Sequence, residues 1–198
     1  MYKINELPTP CFVIDEGKLE ENLKILHQVE ERTGAKILLA QKCFSCFSEY
    51  PLIGKYISGT TASGLYEAQL GKEEMGLENH VYSPAYRPQD MEELAQICDH
   101  IIFNSEKQLR TYLPVLKASG TAKAGLRINP ECSTQEGHAI YDPVRPAPAW
   151  ASAPAILQTN WPILWTVFIF IPSVNRIRMI WKPRCAPWKK NSASGFLK

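Results

Sequence analysis

Lys42 is the residue of this chain best placed to do chemistry. It follows Ala35 to Ala40, a short apolar run after a glycine that reads as a buried strand, and a helical segment comes next. In parallel α/β folds the carboxyl ends of the strands face the active site. A partly desolvated lysine there loses its proton readily and can condense with a carbonyl to form a Schiff base. Two further residues belong with it. Glu67 follows a small-residue turn expected over Gly59 to Gly64 at a strand end, and Arg127 lies near the carboxyl end of a later strand. Singly, each reads as a surface or salt-bridge residue. Together the three would set an amine nucleophile, a carboxylate and a guanidinium on one face of one sheet, the set a phosphorylated aldehyde cofactor requires.

Other constellations are weaker. Cys43-Phe-Ser-Cys46 is a C-x-x-C between a strand and a helix, where a redox pair would sit. A zinc site built on it would want a second ligand pair, and Cys98 and Cys132 stand alone. The histidines are dispersed. His80 and His100 precede apolar strand residues and read as structural, so no residue is assigned to a metal.

The elements that would position Lys42 alternate regularly. Cys11 to Asp15 is expected as a lead-in strand, and Asp15 can cap a helix in which Leu19, Leu23, Leu26 and Val29 share a face. Gly34 suits the position past its end. Strands are expected to begin near residues 36, 58, 80, 100 and 124, each followed by a helix. Ser105 and Gln108 form a capping box at the start of the fourth of these helices. Such alternation implies a parallel sheet with right-handed crossovers. A closed eight-fold barrel takes about 250 residues, so this chain supplies about half of one; an open doubly wound sheet is the alternative. No glycine-rich phosphate fingerprint follows the first strand, which argues against dinucleotide binding.

The chain has 198 residues and a net charge of +2 that hides a division. Residues 1–143 hold all 20 acidic residues against 14 Lys and Arg, a net −6, whereas residues 144–198 hold eight basic residues, no acid and all five tryptophans. An acidic main part does not suit a nucleic-acid surface. The start of the chain is polar and lacks a signal-peptide pattern, six cysteines without framework spacing suit a reducing cytoplasm, and no apolar run is long enough to span a bilayer.

The segments LPTPCFVIDEGKLEENL, GAKILLAQKCFS, GTTASGLYEAQLG, HVYSPAYRP, DHIIFNS and GLRINPE resemble, in order, the amino-terminal half of the carboxynorspermidine (carboxyspermidine) decarboxylases. That family belongs to the alanine racemase-like enzymes, with a (β/α) barrel and a carboxy-terminal β-domain. The resemblance implies an α/β fold, a partial barrel over residues 1–143 lacking the second half of the barrel and the β-domain. It implies pyridoxal 5′-phosphate as cofactor, with Lys42 as the lysine that holds it, Glu67 as the acidic residue beside it and Arg127 as the arginine of the L-R-x-N strand. The implied family reaction is decarboxylation of carboxynorspermidine or carboxyspermidine in polyamine biosynthesis, in the cytoplasm, by a homodimer at the family's full length and without nucleic-acid or membrane partners; the truncated chain itself is expected to be inactive. Diaminopimelate or ornithine decarboxylation is the alternative within the class. A non-catalytic remnant, or a redox module using Cys43 and Cys46, is the alternative outside it.

After Tyr141-Asp-Pro143 the resemblance stops. Residues 144–198, with seven prolines and no sustained period, are expected to be a non-homologous, poorly ordered tail with little packing against residues 1–143. The tail reads as a frameshift. With suitable synonymous codons, the stretch from Leu164 read one base out of frame gives LDGLHFHTLCEQ, which matches the family's next strand.

Overall fold

A computed structural model of the chain describes residues 6–127 and, as a single strand, 165–169. Residues 128–164 and the rest of the 144–198 tail lie outside the described residues, as do Cys132 and the end of the last strand expected from the sequence.

Helix α1 spans Glu16–Thr33, and its limits follow from its ends. The Asp15 side chain accepts from the Lys18 amide, and Gly34 at φ 70° closes the helix with its own amide on the Glu30 carbonyl. Its apolar face is only partly used: Leu23 is buried, whereas Ile25, Leu26 and Val29 are exposed. Then come β1 (Leu38–Ala40), a 3₁₀ turn (Phe47–Glu49) running into α2 (Tyr50–Ile53), β2 (Gly59–Ala62) and α3 (Leu65–Glu74). Strand β3 (Glu78–Tyr82), α4 (Met91–Ile97), β4 (His100–Phe103), α5 (Glu106–Ser119) and β5 (Lys123–Arg127) complete the alternation, and β6 is Trp165–Ile169.

All neighbouring strands pair in parallel, in the order β1-β2-β3-β4-β5-β6. Sequential order in a parallel sheet is the arrangement of a barrel wall and not of a doubly wound sheet, in which the order reverses. Alternate strand residues then face opposite ways. Val81, Ile101, Phe103 and Leu126 are fully buried in one cluster with Ala68, Leu94, Ala95, Leu109 and Leu116 of the helices. Burying one such aliphatic side chain contributes about 1.5–3 kcal/mol. Glu78, His80 and Tyr82, between the buried residues of β3, lie on the other face.

Two close approaches require glycine. A Cβ on Gly71 of α3 would stand 2.4 Å from the Thr60 hydroxyl oxygen, and one on Gly59 would stand 1.9 Å from the Glu78 carbonyl. Both keep neighbouring elements in register with β2.

Four expectations need correction. Cys11 to Asp15 forms no strand; it has no partner strand, and Phe12 and Val13 are exposed. Strand β1 covers three residues and is half-buried, since it is the outer strand of the described sheet. Gly59 to Ala62 is itself a strand, and only Ser63 and Gly64 turn. Finally, the tail is not without regular structure: β6 pairs with β5 from Ala124 to Arg127, across an irregularity between Ala124 and Gly125. The reason is local. The outer edge of β5 offers unpaired amides and carbonyls, and Trp-Thr-Val-Phe-Ile is a β-branched and aromatic run.

Candidate active site

Strand β1 ends at Ala40, and the chain turns through Gln41, Lys42 and Cys43, with the Cys43 amide on the Ala40 carbonyl. The turn is anchored by the residue before the lysine. Gln41 is 1% exposed; its amide nitrogen donates to the Glu67 carbonyl at 2.8 Å, and its side-chain oxygen accepts from the Tyr50 hydroxyl at 3.2 Å. Burial, and after it the Glu67 carboxylate, pushes the Tyr50 phenol up, so it keeps the proton it donates. Lys42 itself is exposed, and its ammonium has no hydrogen-bond or ion-pair partner among the described residues. A held backbone with an unengaged amine is what a carbonyl-binding lysine needs.

Glu67 lies in the first turn of α3, immediately beyond the carboxyl end of β2. Its carboxylate accepts from the Ser63 amide at 2.6 Å, so it closes the turn that brings the helix back onto the sheet. The interaction suits the positive end of the helix.

Arg127 is the last residue of β5 and is 5% exposed. Its guanidinium donates to the Tyr82 hydroxyl at 2.5 Å and lies 5.0 Å from the centre of that ring. Tyr82, at the end of β3, in turn donates to the Asn104 side-chain oxygen at 2.9 Å. No carboxylate pairs with Arg127 among the described residues. A buried guanidinium with neutral partners keeps donors for an anion such as a phosphate or a carboxylate.

Lys42, Glu67 and Arg127 thus stand at the carboxyl ends of β1, β2 and β5, on one rim of the sheet. The rim brings them to one side; no hydrogen bond or ion pair joins any two of them among the described residues. Gln41, Tyr82 and Asn104 were missed from the sequence. Each follows or ends a strand, and that shared position was the available signal. Lys42 offers the amine and Arg127 the buried cation.

Cys43 and Cys46 lie in the same loop and are both free, with the Cys46 sulfur 3.3 Å from the Ser48 hydroxyl. Cys98, in contrast, is buried behind the sheet, which pushes its thiol up to about 12 and leaves it inert as a nucleophile at neutral pH. Among the described residues no helix is long and apolar enough to cross a membrane.

No family model matches the chain. Curated proteins do. A carboxynorspermidine/carboxyspermidine decarboxylase of Herminiimonas arsenicoxydans is 41% identical over 140 residues, 71% of this chain and 37% of that protein. A carboxyaminopropylagmatine decarboxylase of Synechocystis is 38% identical over 167 residues, 84% of this chain and 43% of its own length. A match of that extent runs past residue 143. Among solved structures, carboxynorspermidine decarboxylase from Campylobacter jejuni, complexed with norspermidine, superposes with a TM-score of 0.64 at 33% identity, over 74% of this chain and 36% of that one. The chain therefore spans well under half the length of the proteins it matches.

Proposed function

We propose that this chain, similar in sequence to the carboxynorspermidine/carboxyspermidine decarboxylases over well under half of their length, belongs to that family and carries the lysine-bearing part of a pyridoxal-phosphate-dependent carboxy-lyase acting on a carboxylated polyamine. The observation that supports this most directly is Lys42, an unpaired amine on an anchored turn at the carboxyl end of β1.

Pyridoxal phosphate, when bound, supplies an electron sink that lets the carboxylate beside a substrate amine leave as carbon dioxide. The chain's own residues have separate tasks. Lys42 Nζ is the amine that would hold the cofactor through its aldehyde. Gln41 fixes the turn, so Nζ swings only about its own side-chain torsions. Arg127 draws an anionic group towards the rim, and Tyr82 orients the guanidinium through its hydroxyl and ring. Glu67 keeps the start of α3 against the sheet and places a negative charge near any cationic ring or polyamine nitrogen.

The relatives bear names with different carboxylated polyamines, so the substrate class is proposed at that level. Incubating the chain with pyridoxal phosphate, reducing with borohydride and mapping peptides by mass should place the adduct on Lys42. A dominant adduct on another lysine would refute the assignment. In a protein completed to the relatives' length, carboxynorspermidine should outcompete diaminopimelate and ornithine.

The division at Pro143 is likewise our inference. The coding DNA beyond that codon should encode His-Phe-His-Thr-Leu-Cys-Glu in a second frame. Its absence from both other frames removes the frameshift account.

A further inference from the structure

The opposite rim of the same sheet carries a second cluster. Glu78 opens β3, His80 lies two residues on and so on the same face, and the register of β3 and β4 sets His80 beside His100. The two imidazole rings are 4.3 Å apart between centres. Both aim a nitrogen at one carboxylate oxygen: His80 Nε2 is 2.8 Å and His100 Nε2 3.6 Å from Glu78 Oε1. One ligand atom from each of the three residues lies within 4.8 Å of the others. The second oxygen of Glu78 is held by Lys36, so the carboxylate is fixed with Oε1 towards the histidines.

His100 is the anomaly. Its side chain is 9% exposed, its Nδ1 is buried without a partner among the described residues, and its Nε2 stands beyond hydrogen-bond length from Glu78. Nearly all buried polar groups find a partner, so a buried imidazole with none invites an unseen one. A metal ion between these three groups would engage His100 through Nε2, the nitrogen turned towards Glu78, and leave Nδ1 as it is. Ligands at about 2.0–2.2 Å around a tetrahedral zinc stand roughly 3.3–3.6 Å from one another. The separations of 2.8 and 3.6 Å bracket that spacing, and the third, within 4.8 Å, closes to it by side-chain rotation.

We propose that Glu78, His80 and His100 form a binding site for a divalent transition metal of the zinc class at the amino-end rim of the sheet. Two imidazoles and one carboxylate select zinc, cobalt, nickel or copper over magnesium and calcium, which take oxygen ligands. Three protein ligands leave a fourth position open to the adjoining cleft of about 750 Å³, lined also by Asp99 and Lys123. The charged residues around it are Glu78 and Asp99 against Lys36, Lys72 and Lys123, so the ion relies on its own ligands and not on the net charge of the cleft.

The test uses Co²⁺ alone as a spectroscopic probe on the full chain. One Co²⁺ per chain should bind, with the visible absorption of a low-coordinate nitrogen–oxygen site, and Zn²⁺ should displace it. His80→Asn and His100→Asn should each weaken binding roughly tenfold or more, with folding followed by circular dichroism. Cys43→Ser/Cys46→Ser should leave it unchanged. A wild-type measurement stands beside these: Zn²⁺ should shield His80 from diethyl pyrocarbonate but not His27, whose side chain is 44% exposed. Absence of stoichiometric Co²⁺ binding, binding lost with the cysteines and kept without the histidines, or no shielding of His80 would each overturn the proposal.

Discussion

The two rims of the sheet are built from the same strands yet are chemically unlike. At the carboxyl ends, Lys42 stands free on a turn held by Gln41, while Glu67 and Arg127 bond neutral groups, and no two of the three are joined among the described residues. At the amino ends, Lys36, Glu78, His80 and His100 are drawn into one cluster. Burial acts oppositely on its members. It lifts the Glu78 carboxyl, but hydrogen bonds from Lys36 and His80 outweigh it and the net shift is downward. For His100, burial leads and the neighbouring His80 adds to it, holding the imidazole below its usual value and so neutral. A rim whose charges are separated and not paired with opposite charges among the described residues is open to a substrate or cofactor. A rim whose charges satisfy one another has room only for something that competes at close range, such as an ion.

The largest perturbation should abolish the contrast altogether. Ile101, fully buried in β4, packs the strand that serves both rims. Ile101→Ala should cost about 2–5 kcal/mol, read as a lowered denaturant midpoint, and both pyridoxal-phosphate labelling of Lys42 and Co²⁺ binding should fall together. Loss of one readout with the other intact would mean the rims do not share a scaffold.

Gly71→Ala should separate them. Its Cβ meets the Thr60 hydroxyl oxygen at 2.4 Å and the Gln41 amide at 3.0 Å, so α3 must move from β2. The expected cost is about 2 kcal/mol, with labelling of Lys42 reduced more than cobalt binding. The smallest effect is sought at one side chain. Tyr82→Phe removes the hydroxyl that Arg127 donates to while keeping the ring. It should cost about 1 kcal/mol, weaken retention of pyridoxal phosphate and leave the amino-end rim untouched.

How far each rim could be read from the sequence differs for a physical reason. Lys42 announced itself because a short apolar run followed by a polar turn is a local pattern, and Asp15 and Gly34 marked α1 for the same reason. Capping by Ser105 was equally local, although Gln108 returns its bond to the Asn104 amide. The amino-end cluster was not legible in this way. His80 and His100 were set aside as dispersed, since twenty residues separate them, and only strand register makes them neighbours. Both had been placed at strand starts, so pairing those starts would have brought them together. Glu78 was missed because β3 begins two residues before the expected start. Long-range pairing also explains the error at Cys11 to Asp15, whose β-like composition finds no partner among the described strands.

Strand β6 has a consequence for how such a chain can change over time. A parallel edge recognises its neighbour through main-chain amides and carbonyls, which every residue but proline carries. The outer edge of β5 is therefore a largely sequence-blind acceptor. It takes Trp165–Ile169 from a stretch whose surroundings are rich in proline and tryptophan and devoid of acid. Downstream sequence can thus be rewritten wholesale while the sheet keeps its strand count, provided five consecutive residues remain extended and free of proline. Architecture at that edge rests on backbone groups alone, whereas the rims depend on particular side chains.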